Sequence, residues 1–292
     1  MIKHVLVPSN GLEANLLEDA FKLATPLSAH VDVLHVGWEP RQEMPLYDKG
    51  FSPDTLETML RKAQYEADTI ASAAKRTFEE FTATASVPVA TRLTEAGGVT
   101  AEWRQITQSV VRAFVAEARA ADLTLLSRPT DKSADLEIFE AALFESGRPV
   151  LLRAGDLTRL SSSVVIAWDD SLAAARAVSG AQDFIARADV VTILIVEEGR
   201  APSPAAIARH QHPRAERLVK HLAWHGVQAS VLSIKRDGRS VGEALAATAM
   251  EMNAGLLVMG GYGHSRLREI ILDGATRYML NHPIDCPVLL AH

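Results

Sequence analysis

Val5-Leu6-Val7-Pro8-Ser9-Asn10 and, about 160 residues later, Val164-Val165-Ile166-Ala167-Trp168-Asp169 open two passages that then run side by side to the end of the chain. Val31-Asp32-Val33-Leu34-His35-Val36 is answered by Val191-Thr192-Ile193-Leu194-Ile195-Val196, and Val87-Pro88-Val89-Ala90-Thr91 by Val227-Gln228-Ala229-Ser230-Val231. Leu123-Thr124-Leu125-Leu126 is answered by Leu256-Leu257-Val258-Met259, and Arg148-Pro149-Val150-Leu151-Leu152 by Cys286-Pro287-Val288-Leu289-Leu290. Short, near-continuous apolar runs of this kind predict strands buried on both faces. Between them lie helically spaced residues: Leu16-Leu17, Ala20-Phe21 and Leu23-Ala24 in one half, and Leu172, Ala175, Val178 and Phe184-Ile185 in the other. Strands alternating with amphipathic helices predict an α/β fold of two doubly wound, parallel, five-stranded sheets.

The repeat boundary is expected between Arg153 and Ser163, which gives domains 1–157 and 158–292. Each half has a longer irregular stretch after its second strand. One runs from Glu39 to Pro53 ahead of a long helix from Asp54 to about Thr82, and the other from Gly199 to Pro213. Such loops sit over the carboxyl ends of strands, where doubly wound sheets bind ligands.

Composition narrows the function classes. The chain has 292 residues, 30 Lys plus Arg against 36 Asp plus Glu, a formal charge of −6, 48% hydrophobic residues and one cysteine. The charge offers no general attraction to phosphate backbones or anionic lipid, so neither nucleic acid nor a membrane is expected as a partner. A lone Cys286 excludes an intramolecular disulfide and a Cys-rich zinc site, and its default role is a small buried one. Val5-Leu6-Val7-Pro8 is too short for a signal or spanning segment, and the expected location is the cytoplasm.

One segment carries chemistry: Val258-Met259-Gly260-Gly261-Tyr262-Gly263-His264-Ser265-Arg266-Leu267-Arg268-Glu269-Ile270-Ile271-Leu272-Asp273-Gly274-Ala275-Thr276. A buried strand ends in a glycine-rich turn and a polar stretch opens a helix. Backbone N–H groups exposed by such a turn, with the unpaired donors of the helix start, form an anion cradle. The alternative is a tight strand-to-helix connection with no ligand. Neither the Walker spacing nor the Gly-x-Gly-x-x-Gly spacing is present.

At this segment the chain resembles the universal stress protein family, in particular its tandem-domain bacterial members, and the resemblance covers essentially the whole length. The family's nucleotide binders carry Gly, two residues, Gly, nine residues, then Gly followed by Ser or Thr. Gly260 and Gly263 match the first two positions; Asp273 stands at the third and Gly274 at the fourth, while Thr276 and the run from His264 and Ser265 to Glu269 are typical. The resemblance implies an adenine nucleotide α-hydrolase-like fold whose repeats form an intrachain pseudo-dimer through their last strands, Val150 to Leu152 and Val288 to Leu290, with two chains pairing again. It also implies an ATP or AMP site, with Mg²⁺, confined to the second repeat. There Gly260, Gly263, His264, Ser265, Gly274 and Thr276 would surround phosphates, Asp169 would address the nucleoside, and Ile195 and Met259 would line the base.

The first repeat departs from this pattern. Asn10 replaces the acidic residue, and Leu126-Ser127-Arg128-Pro129-Thr130 replaces the glycine turn, where proline removes a donor. In the second repeat Asp273 either repels a triphosphate, by about 4 kcal/mol at 4 Å for an effective dielectric of 20, or points to solvent or to a bridging cation. Asp169 has a local alternative as a helix N-cap, with Asp170 and Ser171 as competing caps.

Other residues point to simpler roles. His221 and His225, with His210 and His212 nearby, lack the His-Glu-x-x-His pattern of a zinc site. Glu145-Ser146-Gly147-Arg148-Pro149 reads as a glycine helix stop before a strand. No catalytic residue and no metal site is assigned. The reading is a non-enzymatic stress-response binding or signalling module; the alternatives are a slow ATPase or phosphoryl-transfer enzyme, for which no general base can be named, and a ligand-free interaction scaffold.

Overall fold

The computed structural model describes residues 1–9, 14–37, 52–91, 97–107, 110–129, 134–197, 213–261 and 274–292. It divides into two compact units, Lys3–Ala121 and Asp122–His292, the latter joined by Met1–Ile2. The Lys3–Ala121 unit contains β1 (His4–Pro8), α1 (Ala14–Ala24), β2 (His30–Gly37), α2 (Pro53–Thr84), β3 (Thr100–Thr107) and α3 (Val110–Ala120). β2 lies between β1 and β3 and is parallel to both, with Val5 opposite Val31 and Val33 opposite Trp103. The helical spacing of α1 buries Leu16, Leu17, Ala20, Phe21, Leu23 and Ala24. Proline at the first position of α2 is preceded by Ser52, whose side chain accepts from the Thr55 N–H and caps the helix.

The third strand differs from the sequence expectation. Val87 to Thr91 is not a strand of the sheet; Val89 makes only an isolated bridge to Ala101, and β3 is the polar run Thr100–Thr107. Pro88 has no N–H, so this segment contributes two rungs alone, Ala101 N–H to the Pro88 carbonyl at 3.0 Å and Ala90 N–H to the Ala101 carbonyl at 2.8 Å.

The Asp122–His292 unit contains β4 (Leu123–Leu126), α4 (Ala134–Glu145), β5 (Val150–Leu152), β6 (Ser163–Ala167), α5 (Leu172–Gly180), α6 (Gln182–Ile185) and β7 (Val190–Glu197). It continues with α7 (Pro213–Trp224), β8 (Ala229–Lys235), α8 (Val241–Glu251), β9 (Leu256–Gly260), α9 (Ala275–Asn281) and β10 (Val288–Ala291). Its strands run in the order β4-β5-β10-β9-β6-β7-β8. The pairings of the two repeats correspond: β1/β2, β2/β3 and β4/β5 in the first match β6/β7, β7/β8 and β9/β10 in the second, all parallel. The α/β architecture and the duplication are those read from the sequence.

β5 and β10 pair with each other and are antiparallel: Leu151 faces Leu289, Val150 faces Leu290 and Leu152 faces Val288. These are equivalent positions of the two repeats, so the contact is self-complementary, as a two-fold relation requires. Because β5 is bonded to a strand of the second repeat, compactness divides the chain after Ala121, ahead of the boundary between the repeats.

Two local differences have physical causes. α5 buries Ala173, Ala174, Ala177 and Val178, whereas Leu172 is 66% exposed and Ala175 is exposed, because the turn ahead of the helix sets its phase. β8 begins at Ala229 rather than Val227, since Gly226 at φ +75° closes α7 and the Val227 N–H is used by the Leu222 carbonyl at 3.0 Å. As expected, α4 stops ahead of Gly147, at φ +69°, and the chain enters β5.

Candidate functional site at the second repeat's switch point

β6 pairs with β7 on one side and β9 on the other. Chain connections on its two sides therefore lead in opposite directions, which creates a crevice beyond the carboxyl ends of β6 and β9. Ala167 and Met259 are register partners, so Trp168-Asp169 and Gly260-Gly261 leave the sheet side by side at that crevice. Asp169 is exposed there, and its carboxylate accepts from the Ser171 N–H at 3.0 Å. Asp170 takes φ +67°, a conformation aspartate tolerates, and Ser171 caps α5 by accepting from the Ala174 N–H at 3.1 Å. Of the three candidate caps, Ser171 is the one that caps the helix, and Asp169 braces the turn in front of it.

The neighbouring groups hold this turn in place. Trp168 donates its backbone N–H to the Leu194 carbonyl at 2.9 Å and its indole N–H to the Arg214 carbonyl at 2.8 Å. Arg217 stands 3.3 Å from the Asp170 carboxylate in an exposed ion pair. Ile195 and Met259 lie beneath the strand ends, 1% and 3% exposed.

Both described glycines of the turn are packed by this chain's own atoms. A Cβ on Gly260 would lie 2.7 Å from the Ala174 nitrogen and 2.9 Å from the Ala173 carbonyl carbon, so the glycine admits the first turn of α5 against the sheet. A Cβ on Gly261 would meet a Leu143 methyl at 2.9 Å. Gly261 donates its N–H to the Ala291 carbonyl at 2.8 Å, and its own carbonyl lies 3.1 Å from His292 Nδ1. Among the described residues nothing comes within 4 Å of a Cβ on Gly274, the N-cap of α9, and Thr276 is 3% exposed. Gly263, His264, Ser265 and Asp273 lie outside the described residues, as do Asn10, His210 and His212.

The corresponding exit in the first repeat is built differently. Ser127 and Arg128 stand where the second repeat has Gly260 and Gly261. Arg153 Nε donates to Ser127 Oγ at 3.0 Å, and the Arg128 guanidinium donates to the carbonyls of His282 and, at 3.4 Å, Ile284. Burial pulls the Arg128 guanidinium below its ordinary value. An arginine followed directly by proline at a strand end was the only sequence signal for this contact.

Sequence reading also passed over a charged cluster in the Lys3–Ala121 unit. Arg104 Nε reaches both oxygens of the buried Asp32, at 3.0 and 2.9 Å, and its Nη2 reaches Glu117 at 2.7 Å. His4 Nε2 lies 3.4 Å from the same Asp32 carboxylate. Burial pushes the Asp32 carboxyl up, but hydrogen bonds from His4 and Arg104 outweigh it and hold the group below its ordinary value. His30, buried against Thr100 Oγ1 at 2.8 Å, and His35, 2.9 Å from the Ser9 carbonyl, are both held below the usual imidazole value, chiefly by burial.

Cys286 is 1% exposed, and burial pushes its thiol up to about 12. The His221 and His225 rings meet edge to face with centroids 4.9 Å apart. Among the described residues, no group of three or more His, Cys, Asp or Glu is placed to hold a metal ion, and no helix is long and apolar enough to cross a membrane.

Residues 161–292, which contain this switch point, match the model of the universal stress protein family. That part of the chain is a universal stress domain. The fold likeness extends further: a universal stress protein from Archaeoglobus fulgidus superposes with a TM-score of 0.59 at 17% identity, covering 99% of this chain and 95% of that one. A functionally unknown protein from Pseudomonas aeruginosa covers 99% of this chain and 92% of its own at 16% identity, TM-score 0.55. A universal stress family protein from Arabidopsis thaliana, solved with AMP bound, aligns over 44% of this chain and 88% of its own, at 18% identity and a TM-score of 0.31, a likeness at which no ligand carries over. No curated protein matches the chain.

Proposed function

We propose that this protein is a stress-response binding module that takes up an adenine nucleotide at the second repeat's switch point without turning it over. The observation that supports this reading is the emergence of an exposed carboxylate, Asp169, beside the glycine exit of β9 at the place where an open α/β sheet receives ligands. Asp169 accepts hydrogen bonds from ribose hydroxyls, as a carboxylate can with its remaining lone pairs. Ile195 and Met259 form an apolar floor under the base. Phosphates are received beyond Gly260 by Gly263, His264 and Ser265, since the Gly261 N–H is taken by Ala291, and by the Gly274 to Thr276 start of α9, with Mg²⁺ neutralising part of their charge.

Equilibrium dialysis with radiolabelled ATP and AMP, with and without Mg²⁺, alongside a long incubation assayed for ADP, tests the proposal. The expected result is uptake without ADP release, weakened about tenfold in Asp169→Ala by loss of a charge-assisted hydrogen bond. ADP release that disappears in Asp169→Ala would instead establish a slow ATPase.

A ligand-free scaffold is the second reading, favoured by the packing of Gly260 and Gly261 against Ala173, Ala174 and Leu143. Absence of uptake of either nucleotide establishes it. In both readings β5 and β10 have a strand on each side, so a pairing of two chains uses other surfaces.

A further inference from the structure

We propose that the first repeat positions α9 of the second repeat through Arg128, making Arg128 a positioning residue for the nucleotide site; the ligand half of this statement rests on the function proposed above. The last carbonyls of a helix have no donor within the helix, and a cation at that end complements the helix dipole. Arg128 supplies both. Its guanidinium donates to the carbonyl of His282, the C-cap of α9, and to that of Ile284 two residues on.

α9 has only seven residues, too few to hold a place by helix propensity, so its supports decide where it lies. One support is lateral, since Tyr278 packs on Gly242 at the start of α8, so closely that a Cβ there would lie 2.4 Å from that of Tyr278. A second is the burial of Thr276, Met279 and Leu280, and a third is Arg128 at the end. The arginine is itself firmly mounted: Pro129 follows it, the Arg153 N–H bonds the Leu126 carbonyl at 2.9 Å, and Arg153 Nε bonds Ser127 at 3.0 Å. The opposite end of α9 carries Gly274 and Thr276. Where the second repeat has Gly261, the first thus has a side chain that acts on the second.

The experiment compares the full chain with Arg128→Ala and Arg128→Lys by two readouts, amide hydrogen exchange and equilibrium binding of ATP and of adenosine. In Arg128→Ala, exchange at residues 277–284 is expected to accelerate while the strands keep their protection. ATP is expected to bind about tenfold more weakly with adenosine changed less than twofold, since only ATP reaches the α9 end of the site. Lysine, a point charge able to serve one carbonyl, is expected to restore part of both effects. The proposal is overturned if exchange at 277–284 is unchanged, if acceleration spreads over the whole sheet, or if ATP and adenosine weaken equally. If the unsubstituted chain binds no ATP, the nucleotide site and the ligand half of the proposal fail together, and the exchange data alone decide whether Arg128 holds α9.

Discussion

The two repeats share strand pairings but differ in what they bury at equivalent places. Asp32 in the middle of β2 corresponds to Thr192 in β7. The first is a carboxylate gripped by Arg104 and His4, whereas the second is a neutral hydroxyl 3.2 Å from Ser230. At the fourth-strand exits, Ser127-Arg128 corresponds to Gly260-Gly261: a charged side chain reaching outward in one repeat, bare backbone packed by neighbouring atoms in the other. A duplicated backbone constrains apolar volume and crossover direction. It leaves the polar groups free to diverge, provided each buried one finds a partner.

The largest expected effect of breaking this contrast is at Asp32. Asp32→Ala leaves Arg104 with Glu117 alone and should cost about 2–4 kcal/mol, whereas Thr192→Val, which removes one neutral hydrogen bond, should cost about 1 kcal/mol or less. Denaturant unfolding of the two variants checks the difference, and equal losses would mean that the ion pair adds nothing over a hydroxyl pair.

Next comes the glycine exit. Gly260→Ala places a methyl against α5 backbone and should cost about 1–3 kcal/mol, while Gly274→Ser meets no atom of the described residues and adds an N-cap side chain, leaving stability level or raised by about 0.5 kcal/mol. Thermal unfolding of both separates a glycine required by packing from one that packing does not require.

The smallest effect concerns pH. His30 and His35 of the first repeat have folded-state values below the ordinary one of about 6.5, so the unfolded chain binds protons more readily. Their contribution is full above that value and is lost as the pH falls through it toward the folded values. Amide protection factors, which are referred to the intrinsic rate at each pH, should therefore fall in β1 and β2 between pH 7.5 and 5 more than in β6 and β7. The Asp32 carboxyl, shifted the same way from its own ordinary value, adds a loss only in strongly acid solution. An equal loss of protection in both repeats would show that the histidines are not the cause.

Much of this molecule was legible as pattern. Runs such as Val5 to Val7 and Val164 to Ile166 announce doubly covered strands because every side chain in them is apolar, and α1 and α2 appear where helical spacing and Pro53 place them. β3 escaped notice because an edge strand need not be apolar: Thr100–Thr107 carries Glu102 and Arg104, and its stability comes from the ladder with β2 and the ion pair with Asp32. The phase of α5 escaped notice because Leu172 is a hydrophobe at the first helical position, while the face that meets the sheet is made of alanines.

Periodicity is a local property, and so the sequence alone determined the fold class, the duplication and the short candidate segment from Asp169 and Gly260 onward. The partners of each polar group lie far away along the chain. Only the tertiary structure could show that Ser171 rather than Asp169 caps α5, that Leu143 fills the space beside Gly261, and that Arg128 reaches His282, 154 residues on. A glycine signals freedom from a side chain, but what takes up that freedom is decided by whichever atoms the fold brings beside it.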